Sequence, residues 1–412
     1  MNLAQEVKKA LPDALWGLVR GGGEAAWRKG LKLYLVGGAV RDLLLGRPSL
    51  DLDLVVEGDA LALLADLGWQ GRILRFPAFG TAKLLGEGWR LDLASARKES
   101  YPRPGALPRV APGSLQDDLF RRDFAVNALA VDLSPSGLGT LVDPFGGRED
   151  LEKGLIRVLH EGSFRDDATR IFRAVKYAAR FHFHLEARTR RLILRDRRYL
   201  ETISGERLRR ELVLTLEEET PEKALALADG LGVLEGVSPG LKADVWLTRK
   251  FSTARRRGWA SPEVYLALIA YRMATEDGEK LLSHLHFPRA QARAVEDIQA
   301  LKAHEPALAQ PRLARHEVYC LLEGYSVAAV QALALASAEA SVRRRAHLFL
   351  EKLRYVKCSL GGEDLMGMGV KAGPKMGEYL RRLQEARLDG LVQDRAGELA
   401  LALRWLTSGS AR

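Results

Sequence analysis

Apolar and polar positions divide this chain into two textures. From about Leu31 to Leu159, short apolar runs alternate with turns and helical stretches; beyond Phe164 the apolar positions recur at helical spacing almost to the end. In the first region Lys32–Val36, Asp51–Val56, Thr81–Leu85 and Arg90–Ala94 read as strands, with helices over 39–45 and 58–67 between them. In the second, the segments 164–181, 206–218, 262–273, 326–339 and 344–354 read as helices. The pattern predicts an α+β head with a mixed sheet, followed by an all-helical extension. Linkers are expected at Leu133–Gly139, rich in Ser, Pro and Gly, and around Val237–Gly240.

Length and composition add limits. At 412 residues, two or more domains are expected. No apolar run of about 18 residues occurs, so no membrane span is predicted. Met1 to Leu15 carries Glu6, Lys8, Lys9 and Asp13 without an apolar core, which is not the pattern of a signal peptide. The two cysteines, Cys320 and Cys358, lack metal-ligand spacing, so neither a disulfide framework nor a zinc site is expected, and the cytoplasm is the default compartment. A formal net charge of +10 suits a polyanionic partner through phosphate contact; the plainer alternative is a soluble protein that happens to be basic.

Candidate chemistry centres on Ser49-Leu-Asp-Leu-Asp-Leu-Val-Val56. Side chains alternate along a strand, which puts Leu50, Leu52 and Leu54 on a buried face and Asp51 and Asp53 on the other. Two carboxylates so placed repel unless cations lie between them. A pair of Mg²⁺ ions roughly 4 Å apart would supply that charge and activate a hydroxyl for in-line attack on a phosphate. Arg90-Leu-Asp-Leu-Ala94 repeats the arrangement, and Asp92 is the candidate third carboxylate. An edge strand with solvated aspartates is the alternative. Just upstream, a strand ends at Gly37-Gly38 and a helix begins, a turn in which backbone can approach an anion and Arg41 can add a bidentate phosphate contact. Asp42 is expected to brace Arg41 or the turn.

Gly37-Gly-Ala-Val-Arg-Asp-Leu-Leu-Leu-Gly46 leading to Asp51-Leu-Asp53 resembles the first motif of the class II tRNA nucleotidyltransferase and bacterial poly(A) polymerase family, within the polymerase β-type nucleotidyltransferases. The resemblance implies that Asp51 and Asp53 bind catalytic metal and that Asp92 completes the acidic set. Leu119-Phe-Arg-Arg-Asp-Phe-Ala-Val-Asn-Ala128 resembles the second motif, implying that Arg122, Asp123 and Asn127 lie by the incoming nucleotide's ribose and triphosphate. The family usually has Thr where this chain has Ala125, so a hydroxyl contact is missing there. Asp143-Pro-Phe-Gly-Gly-Arg-Glu-Asp150 matches the third motif and reads as a structural turn. Helix 164–181 carries Arg165-Asp-Asp-Ala-Thr-Arg-Ile-Phe-Arg173, and Ser163 with Asp166 three positions on reads as a capping box at its start. Asp167 and Arg170, at i and i+3 on one helix face, match the pair that reads the base without a template, with Arg173 in support; the alternative is a helix-surface ion pair. Asp166 stands where the family usually has Glu. Ile203-Ser-Gly-Glu-Arg-Leu-Arg-Arg-Glu-Leu212 resembles a fifth, scaffolding motif in which Ser204 and Arg207 orient neighbouring helices.

By this resemblance residues 1–150 form the catalytic head, 151–220 a helical neck that recognises the base, and 221–412 a helical body and tail that bind tRNA. Two basic clusters there, with Arg255, Arg256 and Arg257 in one and Arg343, Arg344 and Arg345 in the other, suit contact with an RNA backbone, or else form solvated helix faces. The expected reaction is addition of C and A from CTP and ATP to the tRNA 3′ end, the CCA end, with Mg²⁺ as cofactor. Addition of only CC or only the terminal A is the runner-up, because Ser95-Ala-Arg-Lys-Glu-Ser-Tyr101 and the proline-rich stretch after it resemble members that include A-adding enzymes. A poly(A) polymerase comes next, and a non-catalytic RNA-binding protein is the reading from another class.

Overall fold

The computed structural model describes residues 1–69 and 71–409 and divides into two compact units, Met1–Val237 and Ser238–Arg412. The first holds a seven-stranded mixed sheet. Its strands are β1 (Leu33–Val36), β2 (Asp51–Val56), β3 (Arg72–Phe76), β4 (Thr81–Gly86), β5 (Trp89–Ser95), β8 (Ala130–Asp132) and β9 (Leu141–Val142), in the order β3-β4-β5-β2-β1-β8-β9. Only β2 and β5 run parallel within it. Between β5 and β8 in sequence order, β6 (Arg97–Ser100) and β7 (Arg109–Pro112) form a separate hairpin.

Period-2 alternation explains the two faces. Leu33, Leu52, Leu54, Leu84, Leu91 and Leu93 are buried on one side, where helix Asp13–Arg28 packs closely enough that a Cβ on Gly22 would sit 3.2 Å from Leu33. The other face carries Asp51, Asp53 and Asp92 and is covered only towards β1 and β8, where Tyr34, Val36, Val55 and Ala130 pack against Leu115, Leu119 and Ala128. Leu50, expected on the buried face, precedes the strand and is exposed. Leu133–Gly139, expected as a linker, is instead the connection from β8 to β9, closed by Asp132 N–H to the Thr140 carbonyl and Gly139 N–H to the Asp132 carbonyl.

The segment Asp143-Pro-Phe-Gly-Gly is a helix start. Asp143 accepts from the N–H groups of Gly147 (2.7 Å) and Arg148 (2.9 Å) at the beginning of helix Gly147–Lys153. Gly146 adopts φ +73°, and a Cβ on Gly147 would lie 2.1 Å from the Ala125 carbonyl oxygen. Gly147→Ala is therefore expected to destabilise the fold by about 1–3 kcal/mol. A denaturation midpoint equal to that of the unsubstituted protein would show that the backbone yields without cost.

Helix 164–181, expected to be continuous, is broken. Ser163–Asp166 is a single turn and Thr169–Phe181 a separate helix, with Asp167 extended between them (φ −143°, ψ 101°). The expected Ser163–Asp166 capping box is not made: the Ser163 hydroxyl accepts from Arg170 instead. Helix Gly205–Leu216 and helix Pro221–Gly230 pack on Thr169–Phe181, so 221–230 belongs with the first unit rather than with the helices that follow.

The second unit is all-helical among its described residues. Val327–Ala336 is its most buried helix and packs against Pro262–Arg272, Arg289–Ala309 and Ala340–Glu351. The two basic clusters, about 90 residues apart in sequence, adjoin: Trp259 meets His347 (centroids 5.2 Å apart) and the Arg257 guanidinium lies 5.4 Å over Trp259. Arg343 donates to the carbonyls of Ser337 (2.7 Å) and Ala338 (2.6 Å), and Arg345 to that of Leu308, while Arg256 and Arg344 are exposed. Arg255 lies in the last turn of helix Val245–Arg256. Among the described residues no single helix is long and apolar enough to cross a membrane.

Candidate active site

Strand register sets the carboxylates. In the parallel pairing of β2 with β5, Asp53 stands directly abreast of Asp92, and Asp51 abreast of Arg90. Arg90 takes Asp51 (Nε–Oδ1 2.7 Å), and Lys83 of β4 takes one Asp92 oxygen (2.6 Å). The other Asp92 oxygen is buried without a hydrogen-bond partner. Among the described residues no cation lies at bonding distance from Asp53. Burial pushes its carboxyl up, and the nearby Asp92 and Asp51 add to this against the opposing Arg122.

As the side chains stand, no three potential ligands converge among the described residues, Asp51 being drawn to Arg90. The pair that remains nevertheless fits a cation. An Asp92 oxygen buried without a hydrogen bond, and an Asp53 beside it with no cation bonded to it among the described residues, are what a bound divalent ion would relieve.

The Gly-Gly turn lies against this pair. Gly37 adopts φ +75°, and a Cβ there would sit 2.3 Å from Arg122 Nη1 and 3.6 Å from Asp53 Oδ2. Glycine is thus required twice, by conformation and by close approach. Arg41 is buried, and Asp42 does brace it: Nε and Nη2 donate to the two Asp42 oxygens at 2.8 and 2.9 Å, while Nη1 donates to Asn127 (2.5 Å). Phe181 stacks 4.7 Å beneath the same guanidinium. Most of its fork is therefore already engaged.

A polar chain continues inward. Asn127 donates to Asp123 (2.9 Å), which also accepts from the Phe124 N–H (2.9 Å) and pairs with Arg173 (2.6 Å). Burial alone would raise the Asp123 carboxyl, but Arg173 and Asn127 outweigh it and hold the group below the ordinary carboxylate range. Arg121 and Arg122 share the fully buried Asp118, at 2.6 and 3.1 Å, and Arg121 also reaches Glu99 of β6 (3.2 Å). Arg122 and Asp123 thus pair with other partners rather than with each other.

Nor do Asp167 and Arg170 pair with each other. Asp167 accepts from Arg207, whose Nη2 lies 2.9 Å from both its oxygens, and from the N–H (3.0 Å) and hydroxyl (2.7 Å) of Thr169. Arg170 donates to the Ser163 hydroxyl (2.8 Å) and the Arg121 carbonyl (2.7 Å). Each is fixed by other groups, with donor or acceptor capacity left over.

One cavity of about 540 Å³ collects these groups. Its walls include Gly38, Arg41, Asp53, Asp92, Arg122, Asp123, Asn127, Asp167, Arg170 and Arg173. Gly37 lies behind that wall, and Asp51 faces Arg90 outside it. Tyr101, Thr81 and Tyr177 also line the cavity and were not singled out from sequence, nor were Lys83, Arg90 and the grip of Arg207 on Asp167. Lys83 and Arg90 do occupy alternate positions on the carboxylate face, a signal the strand pattern contains.

A mixed sheet carrying abreast carboxylates beside a strand-Gly-Gly-helix turn defines a nucleotidyltransferase with a polymerase-type head. Residues 33–157 match the family described as the poly A polymerase head domain, and 182–245 match the probable RNA and SrmB-binding site of polymerase A. The chain is 33% identical, over 97% of its length, to the A-adding tRNA nucleotidyltransferase of Halalkalibacterium halodurans, covering 95% of that protein. It is equally identical to the A-adding enzyme of Geobacter sulfurreducens, but spans only 48% of that longer protein. Among solved structures it superposes on a CCA-adding enzyme in an apo form with a TM-score of 0.84 and 30% identity, covering 98% of this chain and 99% of that one. The Thermotoga maritima CCA-adding enzyme complexed with tRNA gives 0.81 at 30% identity, with the same coverage. The chain belongs to the class II tRNA nucleotidyltransferase and poly(A) polymerase family.

Proposed function

We propose that this protein extends the 3′ end of tRNA without a template, adding C and A from CTP and ATP and releasing pyrophosphate. The observation that carries this reading is that Asp53 and Asp92 share one cavity with Asp167 and Arg170, each member of the second pair immobilised by other groups. Cytosine and adenine both present an amino donor beside a ring-nitrogen acceptor. The free capacity of Asp167 accepts from the first and that of Arg170 donates to the second. Asp123 has one acceptor position left beyond Phe124, Asn127 and Arg173, suited to a ribose hydroxyl. Arg122, beside Asp53 and Gly37, supplies charge for the triphosphate. Mg²⁺ is the proposed metal, held by Asp53 and Asp92 with Asp51 after release from Arg90; when bound it would activate the attacking hydroxyl and offset charge on the leaving group. The body and tail, with their adjoining basic clusters, are the proposed tRNA-binding region, and the cytoplasm the proposed compartment.

Addition of the terminal A alone is a second reading, favoured by two relatives matched over 97% of this chain and both named as A-adding enzymes. One experiment separates the two. Transcripts of tRNA ending before, within and after the C-C stretch are offered each nucleoside triphosphate separately. CTP incorporated into the first and second and ATP into the third is the expected result for CCA addition. ATP incorporation into the third alone assigns A addition. No incorporation into any of them would refute both readings.

A further inference from the structure

Among the described residues the carboxylate-bearing sheet face is packed over towards β1 and β8, while its β3 edge carries exposed apolar side chains. Across β2, β5, β4 and β3 the register runs Asp53, Asp92, Lys83, Leu74; one step along it runs Val55, Ala94, Thr81, Phe76. Directly opposed residues share a face, so Leu74 and Phe76 stand on the same face as the catalytic pair, at the sheet edge. They are 37% and 38% exposed. Phe79, in the turn leading to β4, is 63% exposed, and its carbonyl accepts from the Thr81 hydroxyl (3.0 Å). Thr81 itself lines the cavity. Three large apolar groups thus stand in water at the margin of the catalytic cavity, on the side away from Arg122 and Asp167.

Resting on the proposed reaction, we infer that this shelf receives the single-stranded 3′ end of the acceptor RNA, its last base stacking on Phe79 and Phe76. In-line displacement at a phosphorus needs the attacking hydroxyl and the leaving pyrophosphate on opposite sides. Arg122 lies against Gly37 at the end of β1, Asp123 is tied through Asn127 to Arg41 just beyond β1, and Arg170 donates to the Arg121 carbonyl, which assigns the nucleotide to the β1 side of the carboxylates. The acceptor's approach is therefore across β4 and β3. Bases of any sequence offer a π face, and exposed aromatic rings bind them with little sequence preference. Exposed Arg72, on the same face of β3, is placed for a backbone phosphate. This shelf serves the acceptor, whereas the nucleotide's base is read on the opposite side of the carboxylates.

The test uses the full chain and a tRNA acceptor whose 3′-terminal base is 2-aminopurine, without nucleoside triphosphate, so that stacking is read independently of transfer. Wild type is expected to quench the probe. Phe76→Ala with Phe79→Ala is expected to lose the quench and to raise the acceptor KM by about tenfold or more, with the nucleotide KM held within about twofold and Phe79→Tyr behaving as wild type. A double variant with wild-type quench and acceptor KM overturns the inference, as does a nucleotide KM that rises in step with the acceptor KM. A wild-type protein that quenches the probe yet transfers nothing to tRNA would count against the proposed reaction and leave the acceptor shelf supported.

Discussion

Asp53→Ala is expected to lower nucleotide transfer by about a thousandfold or more while leaving tRNA affinity within about twofold. The loss follows from charge. Asp53 faces Asp92 across the β2–β5 register with no cation bonded to it among the described residues, and its carboxyl is pushed up by burial and by neighbouring carboxylates. A metal-bound transition state draws several kcal/mol from such a pair, and each 1.4 kcal/mol is tenfold in rate. RNA affinity should survive because the proposed RNA-contacting groups lie elsewhere, in the basic helical unit and at the sheet edge. Asp51→Ala is expected to lose transfer too, although Asp51 here pairs with Arg90. Single-turnover transfer into tRNA and equilibrium binding of the same tRNA, measured for each variant, decide the matter. Near-normal turnover by Asp53→Ala would remove the metal assignment.

What the sequence disclosed, it disclosed through local repetition. The alternation in Asp51–Val56 and Arg90–Ala94 is period 2, so the carboxylate face could be read directly, and β2 and β5 are observed at Asp51–Val56 and Trp89–Ser95. The Gly-Gly turn was legible because it joins a strand to a helix. β3 was missed: Arg72-Ile-Leu-Arg-Phe76 alternates poorly because neither face of this edge strand is fully buried. The hairpin of β6 and β7 was hidden by its prolines, yet Pro112 is tolerated at its edge opposite Arg97. The break at Asp167 was hidden for a different reason. Helical periodicity continues through 164–181, and it is the Asp167 side chain, accepting from Thr169 two residues on, that offers the backbone an alternative to helix. Contacts far apart in sequence, such as Arg207 with Asp167 and Lys83 with Asp92, leave no trace in spacing.

That break bears on the proposed base selection, and the second large effect is expected there. In a continuous helix, Asp167 and Arg170 would meet each other; here Arg207 and Thr169 hold the carboxylate, and Ser163 and the Arg121 carbonyl hold the guanidinium. Both therefore keep their geometry before a nucleotide arrives. UTP and GTP present the reverse polarity and would leave a carboxylate oxygen and an N–H unpaired, at about 1–3 kcal/mol for each buried group. Asp167→Ala or Arg170→Ala is accordingly expected to erode discrimination against UTP and GTP by about fivefold to a hundredfold. Arg207→Ala should act in the same direction but less strongly, because it frees the carboxylate without removing it. Asp167→Asn should be the most informative variant: its amide can still accept, but it also presents donors to a site built around a carboxylate. Relative incorporation of CTP, ATP, UTP and GTP into tRNA lacking its end, with tRNA binding measured in parallel, provides the comparison. Wild-type preference at wild-type rate in both Asp167→Ala and Arg170→Ala would mean that the two residues only pin these helices together, and that the base is read by other groups lining the cavity, of which Tyr101 and Tyr177 are candidates.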